Sequence, residues 1–196
     1  MKRLTFLLMA AVFLLCSCGE NKTHGTAEPE VQPVMTLIDG VLKRDATLWR
    51  SAFLPEYDAA MEAQELELGS CTDYNKYVAS RLEAAMAANE DNYGRNISVT
   101  FTNASVRHIK MADRPDMFAE YKDIFTLKYH IDLDSIEDTA EVSGRLTVAG
   151  KISENTSEAV FVVVKCGGKW YLHLLFTIIC FNCSPHGNNS CEVILL

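Results

Sequence analysis

From Val34 to Phe53, apolar residues recur at helical spacing: Leu37, Val41, Leu42, Leu48, Trp49 and Phe53. Asp39, Lys43, Arg44, Asp45 and Arg50 fill the other face, so the pattern predicts an amphipathic helix. Pro55 interrupts it, because its ring removes a helix hydrogen bond, and a second helix is expected from about Glu56 to Leu66, ending near Gly69. Thr72 or Asp73 offers a cap for a third helix, with Tyr74, Tyr77, Val78, Leu82, Ala85 and Met86 on one side and a polar turn from Asn89 to Gly94.

The period changes at Ile97. Ile97, Val99 and Phe101 alternate with Ser98, Thr100 and Thr102, the two-residue repeat of a half-buried strand that runs towards Ile109. Asp113 and Pro115 open a further helix ending near Tyr129, with Met117, Phe118, Tyr121, Ile124 and Phe125 on one side. An antiparallel meander follows: Ala140 to Ala149, a polar turn from Gly150 to Ser157, a valine-rich strand from Glu158 to Lys165, a tight turn at Gly167-Gly168, and a return from Lys169 to Phe176. Trp170 and Tyr171 read as core and rim packing. The expected class is α+β, with N-terminal helices packed on an antiparallel sheet.

The first seventeen residues differ in kind. Lys2 and Arg3 precede a nearly continuous apolar run from Leu4 to Leu15, the layout of an export signal. The run falls short of the roughly twenty residues a membrane-spanning helix requires. Leu15-Cys16-Ser17-Cys18 resembles the lipobox of bacterial lipoproteins, in which the final cysteine accepts a diacylglycerol and becomes the new, usually acylated, amino terminus. The resemblance makes Cys18 the lipid attachment residue and implies a protein held on the extracytoplasmic face of a bacterial cell membrane. Cys16 departs mildly from the small residues usual at its position. The alternative is an ordinary cleaved signal peptide with a chance cysteine. Two or three acyl chains give a lasting anchor where one does not. Residues 18–33 contain a single large apolar side chain, Val31, and read as a spacer. The domain is then expected over 34–176, with 177–196 as a C-terminal extension.

Charge narrows the partners. The whole chain carries a formal charge of −8. Removing residues 1–17 deletes Lys2 and Arg3 but no acid, taking it to −10. With no compensating Lys/Arg cluster, nucleic acid is disfavoured as a partner. The expected contacts are the membrane, through the covalent lipid, and an envelope protein or small-molecule ligand.

Five cysteines remain beyond Cys18: Cys71, Cys166, Cys180, Cys183 and Cys191. An odd number leaves at least one thiol free or paired with another chain. Cys180, Cys183, His186 and Cys191 are of the types zinc prefers, but their spacing departs from a zinc knuckle. Free thiols or an adventitious disulfide is the plainer reading, so no metal is assigned. A redox Cys-x-x-Cys lacks its strand-to-helix setting. The sequence carries no glycine-rich phosphate loop and no nucleophile elbow, and no cofactor is assigned. Among the histidines, His108 beside Arg107 and Lys110 suggests a solvated strand end, and His130 a surface turn. His173 alternates with Leu172 and Leu174, so it faces solvent if they face the core and lines the interior if they do not. No catalytic residue is assigned.

Helices first, then a long strand, a helix and a meander ending in Lys169-Trp170-Tyr171, resemble the cone-shaped α+β fold of the nuclear transport factor two-like superfamily, also described as cystatin-like. Lys43-Arg44-Asp45 and Phe53-Leu54-Pro55-Glu56-Tyr57 are similar to segments of uncharacterised bacterial lipoproteins within it. The resemblance implies a curved sheet around the helices and a pocket that different members use for small molecules, isomerase or dehydratase chemistry, or protein contacts. Fold alone does not choose among these. A binding module is the preferred reading. A proton-transfer enzyme is the alternative, and it requires His173, Tyr57, Tyr74 or Tyr121 to face an interior cavity beside a carboxylate.

Overall fold

The structure is a computed structural model that describes residues 28–110, 133–173 and, for the backbone only, 178–179. Among the described residues four helices precede the sheet: α1 (Gln32–Lys43), α2 (Ala46–Arg50), α3 (Pro55–Glu67) and α4 (Tyr74–Tyr93). Strands β1 (Ser98–His108), β2 (Ile136–Ala149), β3 (Glu154–Cys166) and β4 (Lys169–Leu172) form an antiparallel sheet in chain order, and a two-residue strand, β5 (Ile178–Ile179), pairs with β3. The α+β class expected from the patterning is present, with helices contacting the sheet.

One long helix was expected over Val34–Phe53, and two short ones stand there instead. Arg44 adopts a left-handed conformation (φ 53°), and Asp45 caps the next helix by accepting a hydrogen bond from the Leu48 N–H at 2.9 Å. The corner is tight because Gly40 lacks a side chain. A Cβ there would lie 2.7 Å from the Trp49 Cα and backbone nitrogen. Periodicity runs through such a corner without a break, since both helices turn apolar residues towards the same core.

At the amino-terminal end the fold reaches back into the stretch that composition assigns to the spacer. Glu28 to Val31 make a turn closed by the Val31 N–H on the Glu28 carbonyl, and Val31 and Pro33 are buried. The break expected at Pro55 is present, with Pro55 itself taken into the first turn of α3, and α4 is capped by Asp73, one of the two residues offered, which accepts from the Lys76 N–H at 3.1 Å. That backbone hydrogen bond is the main reason the Asp73 carboxyl sits below its ordinary pKa.

The buried face of α1, including Val34, Leu37 and Ile38, packs with Phe101, Val142, Phe161, Val163 and Leu172 of the sheet in one continuous core. The expected turn over Gly150–Ser157 is shorter, because β3 begins at Glu154 and Ser157 is buried opposite Leu146. The Thr147 and Thr156 hydroxyls lie 2.8 Å apart across the two strands, so polar residues here belong to a ladder. Gly167 and Gly168 have φ of 58° and 74°, the backbone a two-residue hairpin loop requires. On the free edge of β4, the Leu172 N–H donates to the Ala52 carbonyl at 2.7 Å, tying the α2–α3 link to the sheet.

The expected helix between Asp113 and Tyr129, and the tail beyond Ile179, lie outside the described residues.

Gly40→Ala tests the α1–α2 corner. Helix propensity alone favours alanine by about 1 kcal/mol, whereas overpacking against backbone costs about 1–3 kcal/mol. Urea unfolding is expected to show net destabilisation, with a shift in tryptophan emission as Trp49 moves. A stabilised variant would contradict the close approach.

Candidate functional site

Arg50, at the end of α2, is the most densely bonded side chain described. Its Nε lies 2.9 Å from both carboxylate oxygens of Asp58, its Nη2 lies 2.7 Å from Asp58 Oδ2 and 2.5 Å from Glu62 Oε2, and its Nη1 donates to Asn75 Oδ1 at 2.8 Å. The guanidinium also stands 4.7 Å from the centre of the Tyr74 ring. One cation thus joins α2 to α3 and α4, using the planar fork that suits arginine to bidentate carboxylate pairing. The Asp58 hydrogen bond, followed by that of Glu62, outweighs burial and raises the Arg50 pKa above its ordinary value. The arginine is 16% and Asp58 17% exposed, so water screens this pair far less than an open surface pair.

No residue of α3 is fully buried, and the N-cap Leu54 contributes no side-chain hydrogen bond. The helix is therefore held largely by the Arg50 network and by partial contacts such as Met61 with the α4 cluster of Tyr74, Val78, Leu82 and Met86. Between α3 and α4 lies a groove of about 400 Å³, with Trp49 of α2 and Phe53 of the α2–α3 link also lining it. Trp49 and Phe53 rings are 4.6 Å apart, Phe53 and Tyr57 6.5 Å, and Tyr74 and Tyr77 6.2 Å in a stacked pair. Asp58, Glu65 and Arg81 supply its charged groups. The volume falls in the range of small-molecule sites, which are mostly apolar with a few placed polar groups. A more open hollow of about 340 Å³ is bordered by Arg50 together with Thr47, Ser51, Lys169 and Tyr171.

No family model, curated protein or solved structure matches this chain. The site's chemistry must carry the functional reading by itself.

The residues singled out from sequence fall in several places. Tyr57 and Tyr74 border the groove, beside Asp58 and Glu65. Burial, with added repulsion from Asp58, Glu65 and Glu62 and partial relief from Arg50, lifts the Tyr74 phenol to about 12. His108 is an exposed strand end, as expected. Its Nδ1 meets Asp138 at 2.9 Å, its Nε2 lies 3.6 Å from Glu30, and its ring stands edge-on to Trp170. Cys71 and Cys166 are free thiols. Cys18, Tyr121, His130, Cys180, Cys183, His186 and Cys191 lie outside the described residues. Among the described residues no cluster of His, Cys, Asp or Glu is arranged to hold a metal, and no helix is long and apolar enough to cross a membrane.

His173 corrects a simpler expectation. Leu172 does face the α1 core, so His173 points to the opposite face of the sheet, but that face is not solvent. His173 is 4% exposed, opposite Val162 and near Val164 and Thr139, all buried on the same side. The two-sided choice assumed a sheet covered on one face only. Here both faces are covered at this end. Burial lowers the His173 pKa to about 4, so the imidazole is neutral at pH 7.

Arg50, Asp58, Glu62 and Asn75 were not singled out from sequence. A signal was present: Asp58 and Glu62 are like charges four residues apart on one helix, an unfavourable pair unless a cation bridges them.

The His173 shift sets a pH window. Below about pH 6.5 the unfolded chain binds a proton that the folded chain refuses until about pH 4, so stability falls as pH drops through that interval and then levels. In His173→Asn this contribution is absent, and other groups cancel in the difference. The stability gap between native chain and variant is expected to shrink by about 3 kcal/mol from pH 7 to pH 4, as measured by chemical unfolding. A gap that stays constant with pH would show that the histidine ionises freely in the fold.

Proposed function

We propose that this chain is a lipid-anchored extracytoplasmic binding module, fixed to a bacterial membrane through acylated Cys18 and presenting the groove between α3 and α4 to a small-molecule ligand. The observation that carries the binding reading is that groove: an aromatic-lined space of about 400 Å³ beside a helix with no fully buried residue. Cavities of this size and composition are the usual sites for small organic ligands.

Two features support a cone of the nuclear transport factor two-like kind: the helices come first, and α1 lies against an antiparallel sheet in one core. In this reading the interior of the cone is packing, occupied by Val34, Leu37, Ile38 and Phe161. The ligand site is displaced to the helical side, where Tyr57 and Tyr74 line an open groove. Binding is favoured over proton-transfer chemistry inside the cone because His173 lies across the sheet from α1, Tyr57 and Tyr74 line the outer groove, and the interior is packed with apolar side chains. The acidic chain favours neither nucleic acid nor anionic headgroups as a partner, and the lipid supplies the membrane contact. An envelope protein remains the alternative partner for the same face.

Two measurements test the two halves of this proposal. In a bacterial host the chain is expected to enter the detergent phase, with an intact mass that includes acyl groups and a start at Cys18. Cys18→Ala is expected to move it to the aqueous phase. An unmodified native chain in water removes the anchor. For the groove, ligand-observed NMR of the full chain against small aromatic and amphiphilic compounds is expected to yield binders that Ala85→Trp, which fills the groove, abolishes. Binders indifferent to Ala85→Trp would place the site elsewhere.

A further inference from the structure

The groove has a chemical bias beyond being apolar. α3 carries Glu56, Asp58, Glu62, Glu65 and Glu67 and no lysine or arginine. Two of these acids, Asp58 and Glu65, border the groove. The rings of Tyr74 and Tyr77 on α4, Tyr57 on α3 and Trp49 on α2 line the same groove. Aromatic faces carry negative partial charge and attract a cation within about 6 Å of the ring centre, the more so when water is displaced. Carboxylates and π-faces on the walls of one small groove favour the same sign of guest.

Two cations lie close by. Arg50 is already bound to Asp58, Glu62 and Asn75. Its presence shows that this region holds a guanidinium against a tyrosine face, 4.7 Å from the Tyr74 centre. Arg81 borders the groove but is solvent-exposed, where its field is damped by water and salt. Glu65 is half-buried and has no ion pair among the described residues. Burial is the main reason the Tyr74 phenol is raised, and the neighbouring carboxylates of Asp58, Glu65 and Glu62 add to it while Arg50 opposes them.

We propose that the α3–α4 groove selects a small organic cation, an apolar or aromatic body bearing a quaternary or protonated ammonium head, with the head held by Glu65 and the tyrosine faces. The proposal rests on the binding reading above and adds the class of ligand. Size limits the guest to a small molecule rather than a folded partner, and the acidic wall excludes its anionic counterparts.

The test uses one apolar body with three heads: 3-phenylpropyl-trimethylammonium, 3-phenylpropanol and 3-phenylpropanoate, titrated calorimetrically into the full chain, its Glu65→Gln variant and its Ala85→Trp variant. Glu65 lies on the outer helix, so Glu65→Gln is expected to fold as the native chain does. The ammonium compound is expected to bind at least tenfold more tightly than the alcohol, and the carboxylate most weakly. Glu65→Gln is expected to weaken the cation at least threefold relative to the alcohol. Equal affinity for all three heads, or a cation preference untouched in Glu65→Gln, overturns the charge selection while Ala85→Trp still reports a working groove. A preference for the carboxylate overturns it in favour of Arg81 as the head-group partner. No binding of any head, or binding indifferent to Ala85→Trp, removes the groove itself and the selection with it.

Discussion

One guanidinium holds the helical side together. Arg50 sits at the end of a five-residue helix, and a helix that short has little stability of its own. It is locked at one end by the Asp45 cap and at the other by the Asp58, Glu62 and Asn75 bonds. Because α3 buries no residue fully, the usual source of helix attachment, an apolar stripe in the core, is weak there. An ion-pair network takes over that function. The consequence is a gap: apolar packing would have closed α3 onto α4, whereas side chains reaching from Arg50 hold it at the distance that leaves the groove.

The rest of the molecule supplies the rigid frame. α1 packs its branched side chains into one core with the sheet, and its corner with α2 is as tight as a glycine allows. The Ala52 carbonyl then fastens the α2–α3 link to the edge of β4. Trp49 and Phe53 are therefore presented from a fixed base, while Tyr57 and Met61 come from the less buried α3.

Much of this was legible in the sequence where one physical rule acted alone. The two-residue alternation from Ile97, the glycine pair at 167–168, the interruption at Pro55 and a cap at Thr72 or Asp73 each obey a local constraint, and each feature lies close to where that constraint puts it, the cap being Asp73. Three things were not legible. The break at Arg44 depends on a backbone contact between Gly40 and Trp49, which hydrophobic periodicity does not register. The start of β3 at Glu154 depends on its register with β2, so polar residues that look like a turn are the rungs of a ladder. His173 required knowledge of what covers the far side of the sheet. The candidate site was half visible: its tyrosines stand out as a helical stripe, but Arg50 reads as one more solvent-facing charge until the fold brings Asp58, Glu62 and Asn75 around it.

Arg50, bonded to Asp58 and Glu62 of α3 and Asn75 of α4, fixes the separation of the two helices. Pulsed paramagnetic distance measurement tests it directly, with labels carried by encoded noncanonical residues at the exposed positions Ala63 and Ser80, in the native background and in Arg50→Met. The account predicts one narrow distance distribution in the native background and a broad or displaced one in the variant. A distribution unaltered in Arg50→Met would show that packing, and not the guanidinium, sets the groove.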